Sequence, residues 1–196
     1  MRASILLALS LALGCGSSKP RQDDEIPTVN EPDETRPASE PRPLEAGKTA
    51  PEFALPDADG RTYTLSELRA GGPVVVVFYQ GSWCGTCREQ LKRFQDKSDQ
   101  FVGLSSRLVG ISADPPDKSK RLAETLALKF PLLSDGKLTA AGGFGVTQPV
   151  GGLALAAVFV IDKEGTVRWS QVGEEVPVDH ALDATRQLQP GRDAGP

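Results

Sequence analysis

Residues 74–95 read VVVVFYQGSWCGTCREQLKRFQ, a β-branched run that passes through a Gly-Ser turn and Trp83-Cys84-Gly85-Thr86-Cys87 into a helical pattern. Val74 to Val77, preceded by Gly72-Pro73, form a continuous apolar run that predicts a buried parallel strand. Leu91, Phe94, Phe101 and Leu104 recur at helical spacings, so one helix starting near Cys84 is expected to lay an apolar face on the sheet. Cys84 then stands where the helix begins. Unpaired N–H groups and the positive end of the helix dipole favour a thiolate there, and such sites lower a cysteine pKa from about 8.5 into roughly the 3.5–7.5 range. Cys87 follows one helical turn later, close enough for the two sulfurs to form and break a disulfide with little backbone movement.

Two plainer readings compete. A C-x-x-C pair is also half of a zinc site, but zinc takes four N or S ligands, and beyond this pair the chain has only Cys15 and His180 to offer. No metal is therefore expected. A purely structural disulfide across so short a loop removes little unfolded-state entropy and stabilises little. A redox pair remains the better account.

The N-terminus carries Arg2, an apolar run from Ile5 to Leu13 broken only by Ser10, then Gly14-Cys15-Gly16. Fewer than the about 20 apolar residues of a spanning helix, this is read as a secretion signal over 1–14. Ala12-Leu13-Gly14-Cys15 resembles the lipobox of bacterial lipoproteins, which implies cleavage before Cys15 and its lipidation; an ordinary signal peptide is the alternative. If Cys15 carries lipid, no unpaired thiol is left over. From Ser17 to Ala46 the chain has four basic and eight acidic residues, many prolines and almost no large apolar side chains. Such a stretch cannot bury a core, and residues 15–46 are expected to form a tether that can extend at about 3.1 Å per residue. Near-neutral charge in the remaining domain, with no basic run interleaved with aromatics, argues against nucleic-acid binding.

Residues 47–189 are long enough for one domain with its own core, and 190–196 read as a frayed tail. Phe53-Ala54-Leu55 and Tyr63-Thr64-Leu65 flank the turn signal Asp57-Ala58-Asp59-Gly60, which predicts an opening hairpin. After the Val74 strand and its helix, Arg107–Ser112 is a second parallel strand. Pro116 sits in the first turn of another helix, whose apolar face is Leu122, Ala123, Leu126 and Ala127. A short strand at Pro131-Leu132-Leu133, a hairpin of Ala157–Ile161 with Thr166–Trp169, and a helix over Val178–Leu188 complete the chain. The expected architecture is α/β, a central mixed sheet with helices on both faces and an N-terminal hairpin.

The order GKTAPEFALPDADGRTYTLSEL, VVVVFYQGSWCGTCREQL, VGISADPPDKSKRLAETLALKFPLLSD, GGFGV and AAVFVIDKEGTVRW resembles the thioredoxin superfamily, in its alkyl hydroperoxide reductase/thiol-specific antioxidant (peroxiredoxin-like, redoxin) branch. The resemblance implies a thioredoxin fold and cysteine redox chemistry. As a W-C-x-x-C motif it makes Cys84 the attacking, more exposed thiolate and Cys87 the resolving thiol, with Trp83, Gly85, Thr86 and Ala156 as their surroundings. The peroxiredoxin signature P-x-x-x-T-x-x-C instead places Gln80 at the Pro, Cys84 at the Thr and Cys87 at the peroxide-attacking cysteine. The branch's peroxide-polarising Arg has no equivalent beside Ala156-Ala157. Ala156 also occupies the usual cis-proline position; the nearest proline is Pro149, so a trans peptide is expected. Glu52, Asp57 and Glu89 are weak candidates for a buried acid assisting the resolving thiol, and His180 and Trp169 read as ordinary surface and packing residues.

Three functions follow as expectations. The leading one is a lipid-anchored thiol–disulfide oxidoreductase facing the periplasm, in which Cys84 attacks a partner protein's disulfide and Cys87 resolves the mixed disulfide. The second is a peroxidase that reduces a hydroperoxide through a sulfenic acid on either cysteine. The third is a thiolate copper-binding module, for which His180 is poorly placed as a further ligand. None requires an organic cofactor.

Overall fold

A computed structural model describes residues 41–148 and 151–189. The signal, Cys15, most of the tether, Pro149 and the tail lie outside the described residues. Strand β3 (Val74–Phe78) has every residue buried, as its β-branched run predicts. It pairs in parallel with β4 (Arg107–Ser112), which pairs in parallel with β5 (Leu132–Ser134). On its other side β3 pairs antiparallel with β6 (Ala157–Ile161), and β6 with β7 (Val167–Val172), giving the order β5-β4-β3-β6-β7. Pro131 lacks an N–H for the ladder and stands just before β5 instead of inside it.

Alternation along the strands builds two apolar layers. Val74, Val76, Phe78, Val109 and Phe159 face one way, with Phe144; the three phenylalanines lie 5.0–5.9 Å apart between ring centroids. Hairpin β1 (Ala54–Pro56) and β2 (Thr62–Thr64), helix α1 (Leu65–Arg69) and helix α5 (Thr139–Gly143) belong to this side. Val75, Val77, Tyr79 and Val160 face the other way, covered by α2 (Gly85–Asp96), α3 (Ser98–Gly103), α4 (Pro116–Leu126) and α6 (Val178–Gln187). Gly72, two residues before β3, has φ +148°, and a Cβ there would lie 2.3 Å from the Ser105 carbonyl oxygen, so no side chain fits.

The structure corrects three expectations. Leu65 is helical, not the end of a strand, because Thr64 and Glu67 form a reciprocal capping box that starts α1. The single helix predicted from Cys84 to Leu104 is two, broken at Lys97; buried Gln95 donates to Ser98 Oγ (3.1 Å) and accepts the Lys129 N–H (2.6 Å), and the chain turns there. Ala127 is exposed rather than on the apolar face of α4, because it adopts the left-handed cap conformation (φ 50°) that ends the helix. Helix α5, not anticipated, is held by buried Asp135, which accepts the N–H groups of Thr139 (2.8 Å) and Ala141 (2.9 Å). Burial outweighs those bonds and raises the Asp135 pKa.

Candidate active site

The C-terminal end of β3 delivers the chain to the site. Tyr79 continues the ladder, its N–H donating to the Ile111 carbonyl (3.0 Å), and Gly81 then accepts the Cys84 N–H (3.1 Å) to close a turn. A Cβ on Gly81 would stand 2.5 Å from Trp83 Nε1, so glycine is what lets the indole fold back over the turn. Trp83 stays 64% exposed even so.

Cys84 is the N-cap of α2, with extended backbone (φ −78°, ψ 114°). Its Sγ accepts the Cys87 N–H at 3.1 Å and lies 3.3 Å from the Thr86 hydroxyl. The sulfur thus does what a serine or aspartate oxygen does at other helix starts. No acidic residue stands in the first turn of α2 to offset the positive end of its dipole. Cys84 and Cys87 are joined as a disulfide, their Cα atoms 5.2 Å apart, and the helix keeps its first turn around it. Both are buried, Cys84 6% and Cys87 2% exposed, so the greater exposure expected of Cys84 amounts in this disulfide form to a thin opening. Cys87 lies in an apolar layer with Leu91, Phe94 and Tyr79. Gly85 and Thr86 are exposed at the same lip.

Ala156 comes one residue before β6. The register Phe78↔Ala157 carries it to the level of Tyr79, beside the strand end that bears the pair. No cis peptide bond occurs among the described residues, so Ala156 is preceded by a trans bond. Neither Glu52 nor Asp57 nor Glu89 is a buried acid here. Glu52 accepts the Ser66 N–H, Asp57 holds its own turn, and exposed Glu89 faces Arg93 at 3.8 Å. His180 is exposed on α6, where it lines a cavity of about 980 Å³ with Gly72 and Pro73, at the start of β3 and so the opposite end of that strand from the cysteines. No cluster of three or more His, Cys, Asp or Glu able to hold a metal occurs among the described residues.

Asp114 is the carboxylate that the sequence reading missed. It is buried, and its Oδ2 accepts the Ser82 N–H at 2.5 Å, which ties the cysteine-bearing turn to the β4–α4 connection. Beneath the same turn the Tyr79 hydroxyl is buried beside Ser112 and Ser119 without a hydrogen bond of ordinary geometry. Burial pushes its pKa up to about 12, with the Asp114 charge adding to the rise and the two serine hydroxyls opposing it. Tyr79 is a neutral phenol at any physiological pH.

Residues 46–170 match the AhpC/TSA family. The chain is 34% identical over 144 residues to the chloroplastic peroxiredoxin Q of Populus jackii, which covers 73% of this chain and 67% of that protein. It is 32% identical over 133 residues to alkyl hydroperoxide reductase E of Mycobacterium bovis, across 66% of this chain and 86% of the relative. Among solved structures, peroxidoxin BcpB from Mycobacterium tuberculosis superposes with a TM-score of 0.70 and 34% identity, over 74% of this chain and 99% of the other.

Proposed function

The chain belongs to the AhpC/TSA family and is a thiol-dependent oxidoreductase, and on that premise we propose that it is a two-cysteine hydroperoxide reductase whose whole redox cycle runs within the first turn of α2. The observation that carries this reading is the Cys84–Cys87 disulfide closed across an intact helix start, with Cys84 Sγ accepting the Cys87 N–H.

In the dithiol state, the Cys87 N–H and the helix dipole stabilise negative charge on Cys84. The Cys84 thiolate attacks the terminal oxygen of a hydroperoxide; an S–O bond forms, the O–O bond breaks, and the alcohol departs with a proton. Cys87 then attacks the sulfenic sulfur, the disulfide forms, and water leaves. The two electrons come from the two sulfurs. A partner dithiol restores the pair by exchange. That last step is the thiol–disulfide chemistry the W-C-x-x-C motif implies.

A second reading, disulfide exchange without peroxide reduction, is favoured by one observation: Ala156 beside the strand end and Cys84 at the peroxiredoxin threonine position supply none of the donors that polarise a peroxide. Losing one well-placed donor costs about 10²–10³ in rate. The expected result is therefore stoichiometric but slow consumption of hydrogen peroxide by the reduced protein, with re-formation of the disulfide. Reduced protein that exchanges with a small disulfide yet leaves peroxide untouched would leave only the second reading.

We also propose that the domain is held outside the cytoplasm by lipid on Cys15, followed by the acidic tether. Partition of the full chain into detergent, lost in Cys15→Ser, is the expected result; a wild-type chain that stays in the aqueous phase would contradict it.

A further inference from the structure

We infer that Trp83 and a cationic hollow between α2 and α4 form the docking surface of an acidic-rimmed protein dithiol that reduces the Cys84–Cys87 disulfide. The inference rests on the two-cysteine cycle proposed above and adds the surface and the charge by which its dithiol reductant is recognised. Two depressions reach residues of the cysteine-bearing turn, one at Ser82 and one at Gly85. One, of about 190 Å³, is lined by Ser82, Arg88, Lys118 and Arg121; the other, of about 500 Å³, continues along α2 past Gly85, Arg88, Lys92 and Arg93. Their lining carries five basic side chains against one acidic, Glu89, in a chain whose net charge is −4.

Three of the five are matched within their own helices, Arg121 by Asp117, Lys92 by Asp96 and Arg93 by Glu89. Arg88 and Lys118 are exposed, and their side chains make no hydrogen bond or ion pair among the described residues. Both also stand in the first turn and a residue beyond it of their helices, where the dipole disfavours a cation. Neither cation has an acidic partner among the described residues, because Asp117 and Glu89 pair with Arg121 and Arg93, whereas an incoming anionic surface would supply one. Ser82 connects this hollow to Trp83, one of three large apolar side chains that stay exposed among the described residues. Its indole folds back over Gly81, beside the same turn. An exposed Trp beside unpaired Arg is the composition of a protein interface centre. Apart from buried Leu122 and half-buried Ser82 and Leu126, the hollow is lined by exposed residues and lies open, which argues for a protein over an enclosed small molecule.

The reaction is a balanced two-electron exchange. One partner thiolate attacks Cys84 Sγ, the better exposed sulfur, forming a mixed disulfide and expelling Cys87 as a thiolate that takes up a proton. The partner's second thiolate attacks its own sulfur in the mixed disulfide, releasing Cys84 and leaving the partner oxidised.

The test reduces the full oxidised chain with synthetic Cys-Gly-Ser-Cys peptides flanked by glutamates, glutamines or lysines. On the wild type at about 20 mM ionic strength the glutamate peptide is expected to react about tenfold or more faster than the glutamine peptide, and to lose that advantage at about 0.5 M salt. In the double variant Arg88→Glu/Lys118→Glu the preference inverts toward the lysine peptide. A wild-type protein that treats glutamate and glutamine peptides alike, or prefers lysine, overturns the docking surface. A disulfide that dithiothreitol also fails to open in the wild type, or a reduced pair that peroxide fails to close, overturns the redox cycle itself and this inference with it.

Discussion

Cys84→Ser is expected to stop turnover outright, with hydroperoxide consumption falling to the uncatalysed background, while Cys87→Ser, with no added thiol, still completes one stoichiometric attack and stops at the sulfenic acid. The asymmetry follows from what each sulfur touches. Cys84 accepts the Cys87 N–H at 3.1 Å, lies 3.3 Å from the Thr86 hydroxyl and caps a helix with no acid in its first turn. Cys87 is 2% exposed in an apolar layer with Leu91 and Phe94, surroundings that disfavour its thiolate. A thiol of ordinary pKa, about 8.5, is only a few per cent ionised at pH 7, and apolar burial lowers that fraction further. Serine is itself a favoured N-cap, so Cys84→Ser keeps the helix start and its loss of activity cannot be put down to unfolding. Peroxide-treated Cys87→Ser that captures a small monothiol as a stable mixed disulfide on Cys84, where Cys84→Ser captures none, would show the same order of events. Multiple turnover by Cys84→Ser would place the attacking sulfur at Cys87, in the peroxiredoxin register.

Phe159→Ala carries the largest expected effect on stability, about 3–5 kcal/mol. Phe159 is fully buried at the centre of β6, in register with Val76. Its ring lies 5.0 Å from that of Phe144 and 5.9 Å from that of Phe78. Those three rings join the sheet to the end of α5, so truncation opens a cavity that neighbours on three elements would have to fill. Domains of this size are stable by only about 5–15 kcal/mol in all. The measurement is urea unfolding with the disulfide intact, and the expected change is a lower midpoint with an unchanged slope. A loss under about 1 kcal/mol would mean that the core collapses around the gap, and that packing here is looser than the contacts imply.

The stretch from Val74 to Gln95 made the sheet centre and the redox helix readable from sequence, because local periodicity and the cysteine spacing both act over one or two turns. The opening hairpin, α4 and the closing helix were legible for the same reason. Helix α5 was not: Thr139-Ala-Ala-Gly-Gly has weak propensity and no apolar period, and it forms because Asp135 receives its N–H groups and Phe144 packs at its end. The break at Lys97 depends on Gln95 reaching Lys129, and the clamp on the active-site turn on Asp114 reaching Ser82, contacts 34 and 32 residues apart. Only the folded chain reveals such pairs. In sequence, Asp114 stands out merely as the residue before two prolines, which signals a helix start and nothing about the cysteines.

The central claim is that Cys84, the capping sulfur, is the attacking thiolate. It is tested most directly by reducing the full chain, pulsing it with iodoacetamide across a pH series, and mapping the labelled peptides. The account predicts that Cys84 is alkylated first, with a midpoint below the ordinary thiol value of about 8.5, and that Cys87 reacts only later. Preferential labelling of Cys87, or a Cys84 midpoint at or above the ordinary value, would contradict it.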